Sequence, residues 1–236
     1  MGIDLNKAKE KFVKKKCVNT KYELTEETRE IDGHIVHRIR ALEDFGNIKA
    51  GDLGGFVGSE KNLSVFHNAW VYDDACVYGQ AVVQGNAVIR DTVIVGEIAI
   101  VAEKAVVSGN AVIRGLARVY GQARVFENAS VQGLARVYGQ AVILGNAEVY
   151  GAARVFDEAV IRDDVIIRDK ACVFDNAVVC GRASVGGNVL VYGNTRVQGA
   201  AIVSGNVHIY GNYETSESEE PYTIYEDHYN KFGSEV

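Results

Sequence analysis

The chain has 236 residues, 47% of them apolar, and a formal net charge of −6. That length suits one large domain or two small ones, and the acidic balance disfavours nucleic-acid binding through a broadly basic surface. Four cysteines, Cys17, Cys76, Cys172 and Cys180, form no CxxC pair, which suggests neither a zinc knuckle nor a disulfide framework and makes reduced thiols in a cytosolic protein the expectation.

The opening MGIDLNKAKEKF holds no apolar run like that of a signal peptide, and no segment reaches membrane-spanning length. Residues 1–52 read as a capping segment. Leu5, Ala8, Phe12 and Val13 recur at helical spacing, and KEKFVKKK fits an exposed amphipathic helix. KYELT and HIVHRIRAL read as strands, with Asp32-Gly33 as the hairpin turn between them. His34 and His37 fall on opposite strand faces, so they read as cap residues rather than a metal pair. Asp44-Phe45-Gly46 matches a kinase signature by chance, because no glycine-rich or catalytic loop accompanies it. Gly51, Gly54 and Gly55 would bend the chain into the first coil of a repeat.

From Val65 to His208 the chain divides into 24 hexapeptides without insertion or deletion. The first position is Val or Ile throughout, and the fifth is Ala in 19. The third is Gly in 14 and acidic in nine, with His67 the exception. Neighbouring residues on a strand point to opposite faces, so positions five and one point inward together, and six and two outward. Positions three and four must then turn the chain, and Gly, Asn and Asp there tolerate positive φ. Each hexapeptide is a short strand and a corner, and three hexapeptides make one coil. A helix cannot hold a strict period of six, and collagen needs glycine at every third residue. Acidic corners such as Asp157, Asp163, Asp169 and Asp175 read as turn formers. The chain carries 25 glycines but a single proline, Pro221, so it turns often while almost never giving up a backbone N–H.

This pattern resembles the hexapeptide repeat of left-handed parallel β-helices, and the left hand is what the resemblance implies. The wording with glycine at position three, led in by KYEL, HRIRAL, DFGN and GDLGGF, is similar to YdcK-type bacterial proteins and their prophage and phage relatives. The fold expected is all-β: a left-handed parallel β-helix of about eight triangular coils over residues 53–212, roughly 38 Å tall at ~4.8 Å per coil. A helix-plus-hairpin cap would precede it. Leu53, Val57 and Leu63 also fall on inward positions, although Ser59 does not.

With three hexapeptides per coil, side chains that far apart in the chain become vertical neighbours. On one face the outward pairs are Arg118/Tyr120, Arg136/Tyr138, Arg154/Phe156, Cys172/Phe174, Leu190/Tyr192 and His208/Tyr210. A second face carries Val88, Val106, Val142, Val160 and Val178, interrupted by Arg124, as the candidate oligomer face. The third, with Ser130/Gln132, Glu148/Tyr150 and Ser184/Gly186, reads as solvated. Outward aromatics in register form a patch of the kind that marks contacts. The expected covering is a protein partner, further copies of the chain as a trimer or dimer, or the chain's own tail. The arginine column also suits an anionic small ligand.

Residues 213–236, YETSESEEPYTIYEDHYNKFGSEV, break the repeat. Six Glu and one Asp accompany four Tyr and a Phe, so this acidic tail is expected to dock, with its carboxylates near Arg118, Arg136 and Arg154.

The resemblance raises acyltransferases, which use a histidine base at a cleft between subunits. Within the coil only His67 and His208 are available, near opposite ends, with no HxxxxH spacing. No catalytic residue, metal site or cofactor is therefore expected. The leading expectation is a non-enzymatic binding or scaffold protein, cytoplasmic, bacterial or phage-encoded, that modulates a host factor. The competing expectation is an acyl- or nucleotidyl-sugar-type transferase with its site between subunits.

Overall fold

The computed structural model describes residues 19–215 and 218–224. It is a parallel β-solenoid of about nine turns, with no helix among the described residues. The amphipathic helix expected near Leu5–Val13 lies outside them, as does Cys17. Three sheets of twelve, eight and eight strands form the faces. Within the repeat nearly every strand is two residues long, the sixth position of one hexapeptide and the first of the next.

The register is the one the period dictates. Arg118 pairs with Arg136, Arg136 with Arg154, and Val106 with Val88, each pair separated by three hexapeptides. The first-position Val and Ile from Val71 to Val203 are fully buried, as are the fifth-position alanines. Each buried Val or Ile contributes about 1.5–3 kcal/mol of transfer free energy, so the core is a continuous stack rather than a central cluster. Between coils, the amides of positions six, two and four donate to the coil above. Arg118 N–H donates to the Ala135 carbonyl at 3.0 Å, Tyr120 to Val137 at 3.0 Å and Gln122 to Gly139 at 2.7 Å. A proline at any of these positions would delete a rung, which accounts for its absence from the repeat.

All 24 third positions have positive φ. Gly139 shows why glycine leads there: at φ +69°, an added Cβ would meet the Asp157 amide nitrogen at 2.7 Å. The acidic alternatives have a second role besides turning the chain. The Asp163 carboxylate accepts from the Gly181 N–H at 2.9 Å, and Glu127 from Gly145 at 2.8 Å. Each takes up a corner amide that the ladder between coils leaves over, which offsets the backbone strain. Beside one corner, Asn110, Asn128, Asn146 and Asp164 form a chain of side-chain hydrogen bonds at 2.7–3.0 Å.

The solenoid starts one turn earlier than the regular hexapeptides. Strands β1 (Tyr22–Ile31) and β2 (His34–Ala41) form an antiparallel hairpin about Asp32-Gly33, and β2 pairs with β3 (Leu53–Val57). Strand β3 then pairs in parallel with Cys76–Val77. Phe56 lies opposite Cys76 and Leu63 opposite Val83, so the first turn carries two residues more than the regular coils. Leu63 takes the inward seat at 1% exposure, and Val65 is displaced to a half-buried place at the edge. The count of eight coils is thus corrected to about nine, and Val65 is not an interior residue of the regular kind.

The open N-terminal end is plugged. The Phe45 and Tyr22 rings meet Trp70 edge-on at 5.3 and 6.2 Å. Lys21, 1% exposed, donates to the carbonyls of Ala69 at 2.7 Å and Ser64 at 3.1 Å, and lies 4.5 Å from the Phe45 ring centroid. Burial pulls its ammonium down to about 8 from an ordinary 10.5, against the opposing pull of Glu43. The kinase-like Asp44-Phe45-Gly46 is part of this plug.

Candidate functional site

The hairpin settles what one face does. Its tip carboxylate, Asp32, accepts from the Tyr78 hydroxyl at 2.7 Å and from Arg114 at 2.6 Å, spanning two coils. Gly96 makes room for the Tyr78 ring, since a Cβ there would meet its hydroxyl at 2.6 Å. His34 stacks on Tyr78 at 4.8 Å, and Arg29 lies 3.6 Å over Phe56. Val36, Phe56, Cys76 and Tyr78 close a small core outside the solenoid. The face expected to be solvated is therefore covered by the chain itself over its first coils. His37 turns away, with Nδ1 3.3 Å from the Thr25 carbonyl, so the two histidines do not converge.

On the next face the six aromatics form one stack. Successive centroids lie 5.0 Å (Tyr120–Tyr138), 4.8 Å (Tyr138–Phe156), 4.9 Å (Phe156–Phe174), 4.9 Å (Phe174–Tyr192) and 5.3 Å (Tyr192–Tyr210) apart. The rings are half-buried apart from Tyr210, which is 49% exposed at the end of the column. Burial raises the Tyr138 hydroxyl above its ordinary value, with Tyr120 adding to the rise and Arg154 opposing it. Burial also raises the Cys172 thiol, again against Arg154, so Cys172 lacks the depressed pKa of an activated nucleophile.

Arg118, Arg136 and Arg154 stand in register beside the first three rings, exposed, with no ion-pair partner among the described residues. Like charges directly opposite each other on paired strands destabilise a sheet. A column that served structure alone would alternate sign or be neutral, as its continuation through Cys172 and Leu190 is.

A third column escapes the hexapeptide reading. Ile98, Leu116 and Leu134 occupy the fourth position of three successive coils at the opposite edge of this face, and they are 46%, 49% and 55% exposed. Their regular spacing is visible in the sequence, but a corner position has an evident backbone role that hides a column of side chains. Thus the same coils present an aliphatic ridge, a cationic column and an aromatic stack side by side. The ridge ends where Ala152 and Lys170 replace it, close to where the arginines end.

The valine face is also in register. Val88, Val106, Val142, Val160 and Val178 form one half-buried column through Arg124, and it ends at Arg196.

The acidic tail docks, but not where expected in its described part. Tyr222–Ile224 adds a parallel strand beside Ala201–Val203. Glu214 pairs with Arg196 at 3.5 Å, Thr215 exchanges hydrogen bonds with buried Gln198, and the Glu219 carbonyl accepts from Arg182 at 3.0 Å. Residues 213–224 therefore close the C-terminal end of the solenoid, because an open parallel edge there has unpaired amides to satisfy. None of these contacts involves Arg118, Arg136 or Arg154. Residues 225–236 lie outside the described residues. The cleft of about 440 Å³ between tail and coil is lined by Arg162, Arg182 and Arg196, and these are engaged by Asp163, Glu219 and Glu214 respectively.

His67 sits at a corner of the first turn and His208 in the last coil, as the spacing required. Among the described residues no group of three His, Cys, Asp or Glu is placed to hold a metal, and no helix is long and apolar enough to cross a membrane. Fold and face together define a parallel β-solenoid with one chain-covered face, one valine face and one face combining aromatic, cationic and aliphatic columns. No family model matches the chain, and no curated protein matches it.

Proposed function

We propose that this protein is a non-enzymatic, rigid binding module, and that the face carrying Arg118, Arg136, Arg154 and the six-ring stack is its contact surface for a protein partner or for further copies of itself. The observation that supports this most directly is the run of three neighbouring guanidiniums with no carboxylate partner among the described residues, in a chain of net charge −6. The column costs stability in isolation, and a counter-charged partner removes that cost. The likeness of the repeat and its lead-in to YdcK-type bacterial and phage proteins favours a cytoplasmic setting in which the partner is a host factor. The valine face, Val88 to Val178, is the second candidate surface for self-association.

The test is site-specific photocrosslinking in the producing cell. A photoreactive phenylalanine at Leu134 is expected to give a discrete protein adduct that the same probe at Gln132, on the hairpin face, does not. Equal adducts at both sites, or none at Leu134, reject the reading. A melting shift with acyl-CoA or nucleotide-sugars in purified protein would instead favour a transferase.

A further inference from the structure

Resting on that reading, we infer that the three-column face seats an α-helix carrying carboxylates at i, i+4 and i+7. The spacing of the arginines carries the inference. Their strands are in strict register with the ring stack, whose first intervals are 5.0 and 4.8 Å, so the three arginine rungs span about 10 Å. Residues i and i+7 of an α-helix are separated by about 10.5 Å along its axis. Alternate residues i to i+4 of an extended strand spread over about 13 Å and fall out of step by the third rung. A helix lying parallel to the solenoid axis therefore meets all three guanidiniums with one stripe of side chains.

The flanking columns fit the same occupant. Leu116 and Tyr120, on either side of Arg118, are separated by about 13 Å of chain, against a helix diameter of about 10–12 Å. The ridge of Ile98, Leu116 and Leu134 lies along one side of such a helix and Tyr120, Tyr138 and Phe156 along the other. The partner stripe is thus acidic at its centre with apolar residues on both flanks, an amphipathic helix of reversed centre polarity laid on a preformed surface. The stacked rings and the ladder of the coil hold that surface in place before binding, so the complex gives up little conformational freedom on this side. Nucleic acid is the less suitable polyanion, because the rest of the chain is acidic and would repel a long phosphate backbone.

The probes are labelled 20-residue alanine-based peptides followed by fluorescence anisotropy on the full chain. One is helical, with Glu at i, i+4 and i+7 flanked by Leu. A second, also helical, has the same composition with the Glu residues distributed around the helix. A third is an alternating Glu/Val strand former, and the fourth probe is a 20-nucleotide oligothymidine. The striped helix is expected to bind at least about tenfold more tightly than the others, as three exposed ion pairs acting together would give. That advantage should disappear in Arg118→Gln/Arg136→Gln/Arg154→Gln and shrink as salt is raised. Equal binding of the two helices, tighter binding of the strand or the oligonucleotide, or a triple variant that still prefers the striped helix overturns the inference. If the peptides fail while the Leu134 adduct forms, the helix is wrong and the contact face stands. If the adduct is also absent, both fall.

Discussion

Tyr138 and Phe156, one full coil apart in the chain, stack with ring centroids 4.8 Å apart and planes within 1° of parallel. Parallel stacking is one of the two arrangements that isolated aromatic pairs prefer, the other being edge-to-face. It is imposed here by the coil beneath, which fixes each Cα one strand spacing above the last.

The stack is therefore expected to behave as a unit. Phe156→Ala interrupts it at its centre, removing contacts to both Tyr138 and Phe174. Since the ring is only half-buried, the loss in urea unfolding should be about 1–2 kcal/mol, below the roughly 3–5 kcal/mol of a fully buried Phe. Tyr210→Ala, at the exposed end with one neighbour, should cost less than half as much. Equal costs would mean that the rings contribute singly and the column has no cooperative role.

Corner chemistry gives a sharper contrast. Gly139→Ala combines φ +69° with a Cβ 2.7 Å from the Asp157 nitrogen, so a loss above about 2 kcal/mol is expected. Asp163→Asn keeps both the turn preference and an acceptor for the Gly181 amide, and should cost under about 1 kcal/mol. Asp163→Ala loses both and should fall in between. Thermal unfolding by circular dichroism ranks the three.

Lys21 supplies a pH dependence. Its folded pKa, about 8, lies below the ordinary 10.5, so between these values the unfolded chain binds more protons than the native one. Stability attributable to this residue therefore rises with pH across that window and is flat below it. Relative to Lys21→Met, the native protein should gain up to about 3 kcal/mol from about pH 7.5 to pH 10.5 in urea midpoints. The tyrosines cancel in the comparison. A stability difference, native minus Lys21→Met, that stays constant or falls as pH rises would show that the folded chain does not lower the Lys21 pKa.

The tail is expected to act as an end cap. Removing residues 213–236 takes away the strand beside Ala201–Val203 and the Glu214–Arg196 and Thr215–Gln198 contacts. The truncated protein should associate through the bared edge, seen by light scattering as concentration-dependent growth in mass. A truncated protein that keeps the mass distribution of the full chain would refute a capping role.

How much is legible in the sequence follows from how local each decision is. Burial of position one, alternation at positions six and two, and turning at position three are set within a single hexapeptide, and they are repeated often enough for phase errors to be obvious. The columns follow once three hexapeptides make a coil, so the register of Arg118, Arg136, Arg154 and the rings can be had from spacing. The Ile98, Leu116, Leu134 ridge obeys the same arithmetic, yet it hides at corners whose backbone role is the more evident one. The acidic corner residues likewise show themselves as turn formers, but not the amide of the coil above that they bind.

The sequence by itself determined the solenoid, its register and the membership of each column, because a period of six with three hexapeptides per coil leaves one way to bury the valines. Only the tertiary structure decided where the non-repeating ends go. The hairpin lies on one face through Asp32, Tyr78 and Arg114, and the described part of the tail closes the last coil through Arg196 and Gln198, away from Arg118. Such contacts join residues far apart in the chain with no period relating them, so only their juxtaposition in space reveals that, among the described residues, one face is already covered and none of the chain lies over the arginine face.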